Sequence, residues 1–321
     1  MRARVLAVRL IAATVLFAIA ACSGRAEAPP TQPPAGPPGG ASRAIMLGSV
    51  STTPSREIQV FGPLAAHLAR RLGDPPTTSA NPGVIVTGSV GEMAELLRSG
   101  RVDLYIDSLL PVLRACTLSG ARPFLRRWKN GANEYQGLIV VRAKDEMHAL
   151  QDLRGRRIAF ESSFSTSAYY LPKAALLGAG LRLREHPAGG AAVAGDEVGY
   201  FFTSNEDSGL PWLLRGKVDA VALSTDDLQR VTKGQADPRL QILWRSPSFV
   251  RHVVARRPDL AEERLAAIER VLLTMDQDEE GRHVLARFER TTRFERFQDG
   301  GERALDPIRE LLAPILDELQ K

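Results

Sequence analysis

Short apolar runs alternate with helix-patterned stretches along most of the chain. Residues 44–50, 84–87 and 102–106 read as buried strands, and the stretches after them, 58–72, 92–97 and 109–118, carry apolar residues at helical spacing. The rhythm returns with strands predicted at 138–141, 157–160, 181–185, 198–203 and 218–223, and helices through 172–177 and 212–214. From residue 261 the pattern turns helical, over 261–275, 279–288 and 308–319. Strand-helix-strand alternation is the mark of α/β folds with mostly parallel sheets. One segment occurs twice, at 96–106 and, one residue shorter, at 213–223. Each copy reads as helix, glycine cap and buried strand, as two similar lobes would show. Asp103 and Asp219 open the two strands and are expected to hold the turns.

The first 42 residues have a different texture. Arg2 and Arg4 precede a mostly apolar run to Ala21, interrupted by Arg9, which has the layout of a secretory signal and is short for a bilayer span. It ends Ile19-Ala20-Ala21-Cys22-Ser23, which resembles the lipobox of bacterial lipoproteins, so Cys22 is the expected lipidated first residue of the mature chain. Residues 22–42, rich in proline and glycine, cannot bury enough to order themselves and read as a tether.

Composition narrows the reading further. With 44% hydrophobic and 25% charged residues the 321-residue chain is globular in type and long enough for two domains. Its net charge of +5 hints at nucleic acid until Arg2, Arg4 and Arg9 are seen to lie in the signal; the remainder carries about +2, and no nucleic-acid partner is expected. Cys22 and Cys116 cannot build a zinc site, and Cys116 reads as a buried thiol. The five histidines, 67, 148, 186, 252 and 283, are scattered and read as surface or satisfied core groups. No nucleophile elbow, phosphate-cradling lysine loop or dinucleotide fingerprint occurs, so neither catalysis nor a cofactor is signalled.

One turn carries candidate chemistry. Between a predicted strand and helix, Ser165, Thr166 and Ser167 offer hydroxyls beside free backbone N–H groups and a positive helix end, which suits a phosphate-like oxyanion. This Ser-Thr-Ser turn resembles the binding loop of the phosphate, phosphite and phosphonate receptors of ABC transporters. The similarity extends to Leu47-Gly48-Ser49-Val50, Phe61-Gly62-Pro63-Leu64, Gly100-Arg101-Val102-Asp103, Arg154-Gly155-Arg156-Arg157 and Gly216-Lys217-Val218-Asp219. The resemblance implies a two-lobed type II periplasmic-binding-protein fold, with each lobe a mostly parallel sheet flanked by helices. It implies lobe 1 from 43–135 plus 250–321, lobe 2 from 136–249, and a two-segment hinge near 136–142 and 249–256. Ser49, Ser165, Thr166, Ser167 and Tyr169 would bind a small anionic ligand. A permease of an ABC importer would be the protein partner, and the lipid anchor would hold the receptor to a membrane outside the cytoplasm.

The chain also departs from that family. Asp107 stands where a tyrosine or other neutral group is common, and Asn205 where many members place a histidine, with Glu206 and Asp207 beside it. Asp226 and Asp227 follow a further strand. An acidic rim suits a ligand with a cationic group, a protonated oxyanion, or a ligand that is no oxyanion. Helix capping is the competing role for Asp107, Glu206, Asp226 and their neighbours. A solute receptor, a ligand-sensing module for a signalling partner and, disfavoured by the anchor, an enzyme on this fold are the readings in order.

Overall fold

The structure, a computed structural model, describes residues 43–186, 193–203, 207–298, 301 and 303–319. Cys22 and the tether lie outside them, as do Asn205 and Glu206.

The chain enters through β1 (Leu47–Val50), α1 (Pro54–Leu72), β2 (Val84–Thr87), α2 (Val90–Arg98), β3 (Leu104–Ser108) and α3 (Leu109–Ser119). Proline begins α1 at a position that needs no N–H, and the Ser89 side chain caps α2 by accepting from the Glu92 N–H at 3.2 Å. Strand β4 (Arg122–Lys129) follows, then β5 (Glu134–Tyr135) and β6 (Gly137–Arg142), which passes into the second sheet. That sheet continues with β7 (Arg157–Phe160), α4 (Leu171–Gly178), β8 (Arg182–Glu185), β9 (Glu197–Phe202), α5 (Gly209–Leu214), β10 (Ala220–Ser224), α6 (Thr225–Val231) and β11 (Leu240–Arg245). The return runs through β12 (Phe249–Val250), paired with β5, into β13 (His252–Arg256), α7 (Glu262–Thr274), α8 (Glu279–Arg287) and β14 (Thr291–Arg296), and the described chain closes with α9 (Leu316–Leu319).

The two six-stranded sheets have orders β14-β4-β13-β3-β1-β2 and β11-β6-β10-β7-β9-β8. Of the strands read from the sequence, β1, β2 and β3 form the parallel part of one sheet and β7, β8, β9 and β10 that of the other. Strands β4, β13 and β14 in one sheet, and β6 and β11 in the other, add an antiparallel part. The repeated segment holds the same place in both lobes. Gly100 and Gly216 adopt φ of 68° and 70°, the left-handed turn that only glycine takes without strain. Asp103 then accepts the Met46 N–H at 2.8 Å and Asp219 the Arg157 N–H at 2.9 Å, pinning each strand to its parallel neighbour.

Two differences from the sequence reading stand out. Residues 308–319 form short 3-10 turns and only the brief α9, because Pro314 interrupts the expected helix. The end of this tail also packs on lobe 2: the turn at Ala313–Ile315 meets α4, and Lys173 donates to Glu318 at 2.5 Å. Cys116 on α3 is a free thiol that burial pushes up to about 12.

Candidate functional site

A cavity of about 160 Å³ lies between the C-terminal ends of the two sheets' strands, where open α/β sheets take small molecules. Its lobe-2 wall begins where β7 ends. The chain turns through residues 161–165 into a π-turn, Thr166–Tyr170, ahead of α4. Ser165 caps that turn, its hydroxyl accepting from the Ala168 N–H at 3.2 Å and donating to Glu161 at 2.9 Å. Ser162 and Ser167 face the cavity beside it, and the buried Ser162 hydroxyl has no hydrogen-bond partner. Ser224 and Asp227 complete the wall, joined as a reciprocal cap on α6.

The lobe-1 wall is charged. Ser49 at the end of β1 donates to Glu57 of α1 at 2.9 Å, and burial raises the Glu57 pKa. Asp107 at the end of β3 accepts from the Ser108 N–H at 2.6 Å and the Tyr105 hydroxyl at 2.9 Å. Burial nevertheless pushes its carboxyl up to about 7, because the desolvation penalty on the charge exceeds what those two bonds return. From β4 come Arg127 and Lys129, which meet Glu289 at 3.0 and 2.9 Å. Burial alone would raise Glu289, but the two cations hold it well below the usual carboxylate range. The Arg127 guanidinium also lies 4.0 Å above the Phe288 ring and donates to Thr291 at 2.7 Å. His252, the first residue of β13, is kept neutral by burial and by Arg127, Lys129 and Arg251, and its Nδ1 is buried without a partner.

Of the residues expected from sequence, Ser49, Asp107, Ser165 and Ser167 line this cavity together. Asp107 is not the cap of α3, since its carboxylate accepts from the adjacent N–H and from Tyr105 on its own strand. Three others do not line it. Thr166 is fully buried, its hydroxyl turned to Leu110 and Ser108 across the cleft. Tyr169, two residues on around the π-turn from Ser167, points to the other side. There it packs with Phe160 and Phe202 and receives Lys173 at 2.9 Å, in a second cavity bounded by the C-terminal tail. Asp226 pairs with Arg251, whose buried guanidinium requires a counter-charge, and Asp227 takes the cavity-facing place instead. Asn205 and Glu206 fall outside the described residues.

Glu57, Arg127, Lys129, Arg251, His252 and Glu289 were not expected. They come from four distant segments with no common spacing. The one local signal is the alternation Leu125, Arg127, Lys129, which puts two cations on the face of β4 that Leu125 buries. Among the described residues no group of His, Cys, Asp and Glu could hold a metal ion.

The profile of a family described as ABC transporter, phosphonate, periplasmic substrate-binding protein matches residues 47–300. Among solved structures, XAC2383 from Xanthomonas citri bound to ATP is similar at 22% identity and a TM-score of 0.72, over 86% of this chain and 98% of that one. A binding protein component of an ABC phosphonate transporter, PA3383 from Pseudomonas aeruginosa, is similar at 15% identity and a TM-score of 0.62, over 84% and 86% of the two chains. PhnD1 from Prochlorococcus marinus in complex with methylphosphonate is similar at 18% and 0.61, over 84% and 98%. At these identities the structural likeness establishes the two-lobed fold.

Proposed function

The chain belongs to the phosphonate-binding family of ABC-transporter periplasmic substrate-binding proteins, and from that premise we propose that it captures a small phosphonate- or phosphate-like solute in the cleft for an importer, anchored through a lipid on Cys22. Members of this family are receptors rather than enzymes, and no helix among the described residues is long and apolar enough to cross a membrane. The observation that carries the ligand class is the Ser162 hydroxyl, buried at the cavity with no protein partner, beside Ser165 and Ser167. Buried hydroxyls are nearly always bonded, and an oxyanion presents the acceptors that this one lacks. In the proposed complex the head group sits on the 162–167 turn, and the Ser49 and Asp107 side chains close on it from lobe 1.

The test is a thermal-shift series with methylphosphonate, phosphite, phosphate and an alkyl sulfonate, followed by calorimetry. A ligand at 100 times its Kd adds about 2.7 kcal/mol of stability. A clear shift with a phosphorus oxyanion is expected. No shift with any of the four would remove the reading.

A further inference from the structure

We propose that the chain after β14 is a strap across the two lobes, and that Lys173 and Glu318, which fasten its far end, are positioning residues for the ligand turn. This deepens the receptor reading above and rests on it only for the affinity measurement.

Topology places the strap. Strand β14 pairs with β4 at the edge of the lobe-1 sheet, whereas the turn at Ala313–Ile315 meets α4 of lobe 2. The two hinge segments are thus joined by a third connection. A Cβ on Gly178, at the end of α4, would lie 3.7 Å from Pro314 Cγ, and Glu318 lies beside Lys173 in the first turn of the same helix. The tail therefore runs back along α4 towards the ligand turn. Its approach is not slack. The N–H groups of Asp306, Ile308 and Leu312 donate to the carbonyls of Arg303, Leu305 and Ile308 at 3.0, 3.0 and 3.1 Å, and Ala304, Ile308 and Leu312 are buried. Drawing α4 away from β14 would break these turns and uncover apolar surface.

The fastening reaches the site. Glu318 accepts from Lys173 at 2.5 Å and from the Tyr169 hydroxyl at 3.4 Å, and Lys173 also donates to the Tyr169 oxygen at 2.9 Å. Tyr170 and Leu171 are both helical, so the π-turn passes into α4 without a break. Holding Tyr169 from behind therefore fixes the turn that presents Ser167 to the main cavity. Arg114 of α3 donates to the Tyr170 hydroxyl at 3.5 Å and lines the second cavity with Ile315 and Glu318, so both lobes and the strap meet there. The lobes are in contact in this arrangement, with Thr166 bonded to Leu110 and the strap seated. A receptor that binds its ligand when closed loses affinity in proportion to the closed fraction.

Small-angle scattering of the ligand-free protein, then calorimetry with methylphosphonate, tests this on full-length Lys173→Met, Lys173→Arg and Ile315→Ser, with folding checked by circular dichroism. Lys173→Met and Ile315→Ser are expected to give a larger radius of gyration than wild type and an affinity lower by about threefold or more. Lys173→Arg keeps a donor for Glu318 and Tyr169 and should match wild type in both. An unchanged radius in both loosened variants, even with a lower melting temperature, would make the tail a patch on lobe 2 and overturn the strap. Unchanged affinity in Lys173→Met would overturn the positioning role. If wild type itself does not bind methylphosphonate, the receptor reading loses that ligand while the radius still decides the strap.

Discussion

The hydroxyl oxygen of Thr166, on the lobe-2 turn, accepts a hydrogen bond from the backbone N–H of Leu110, in the first turn of α3 on lobe 1, at 3.0 Å. Helix α3 has no side-chain cap of its own, although Ser108 occupies the N-cap position. One of its unpaired first-turn donors is satisfied from the opposite lobe instead. Thr166 also meets the Ser108 hydroxyl at 3.1 Å. The middle residue of the Ser-Thr-Ser turn is therefore a cross-cleft cap, and its two neighbours are the ones turned to the cavity.

Thr166→Val keeps the shape and deletes the cap. Loss of a side-chain cap costs about 1 kcal/mol, here charged to the closed arrangement alone. Affinity for methylphosphonate should fall about fivefold, and small-angle scattering should give a larger radius of gyration for the ligand-free variant. An unchanged radius and affinity would show that closure does not depend on this bond.

Ser162→Ala separates binding from folding. The hydroxyl has no partner in the ligand-free protein, so its removal should leave the melting temperature unchanged or slightly higher, since a desolvated polar group is lost. Affinity for a charged head group should nevertheless fall by about 1.5–3 kcal/mol. A variant that melts lower and binds as before would place this serine in the fold and not in the site.

The lobe-2 half of the site was legible because a run of hydroxyls between strand and helix is a local pattern. The lobe-1 half was not. Arg127 meets His252 and Glu289 across more than a hundred residues of sequence, through the pairing of β4 with β13 and β14. Strand β4 itself went unread because its arginines mask the alternation, and the burial of Arg127 is explained only by Glu289 and Phe288, which arrive much later in the chain. Edge strands β11 and β14 were missed for a related reason, being polar on one side. By contrast β2 and β7, apolar and flanked by turn residues, were placed to the residue.

Gly137 tests how tightly the turn is backed. A methyl group on this first residue of β6 would sit 2.6 Å from the carbonyl oxygen of Ser167, and that oxygen belongs to backbone that cannot swing aside. Gly137→Ala should cost about 1–3 kcal/mol, seen as a lower melting temperature, and weaken methylphosphonate binding by displacing the turn. Gly62→Ala is the control: a Cβ there meets nothing within 4 Å inside α1, and the change should stabilise by about 0.5–1 kcal/mol. If Gly137→Ala melts with wild type, the turn is not held by this contact.

Asp107 makes both stability and binding depend on pH. Its carboxyl titrates near 7 in the fold against an ordinary value of 3.8, with burial as the leading cause. Between those values the folded chain holds a proton that the unfolded chain has lost. Stability from this group is therefore fully present below about pH 4, falls as pH rises towards 7, and stays at the lower level above it. Asp107→Asn removes the titration, so the variant should gain on wild type in melting temperature between pH 5 and pH 8. Binding has the same sign. An anion beside the carboxyl raises its pKa further, so affinity should be highest below about 7 and decline above it, by up to about tenfold per pH unit. The ligand's own ionisation is common to both proteins and cancels in their ratio. The ratio of variant to wild-type affinity for methylphosphonate should thus rise from pH 6 to pH 8.5, as only the wild type acquires an opposing charge. A ratio equal at the two pH values would show that Asp107 does not face the bound anion, and that an aspartate at this position in the lobe-1 wall has no bearing on which solute is taken.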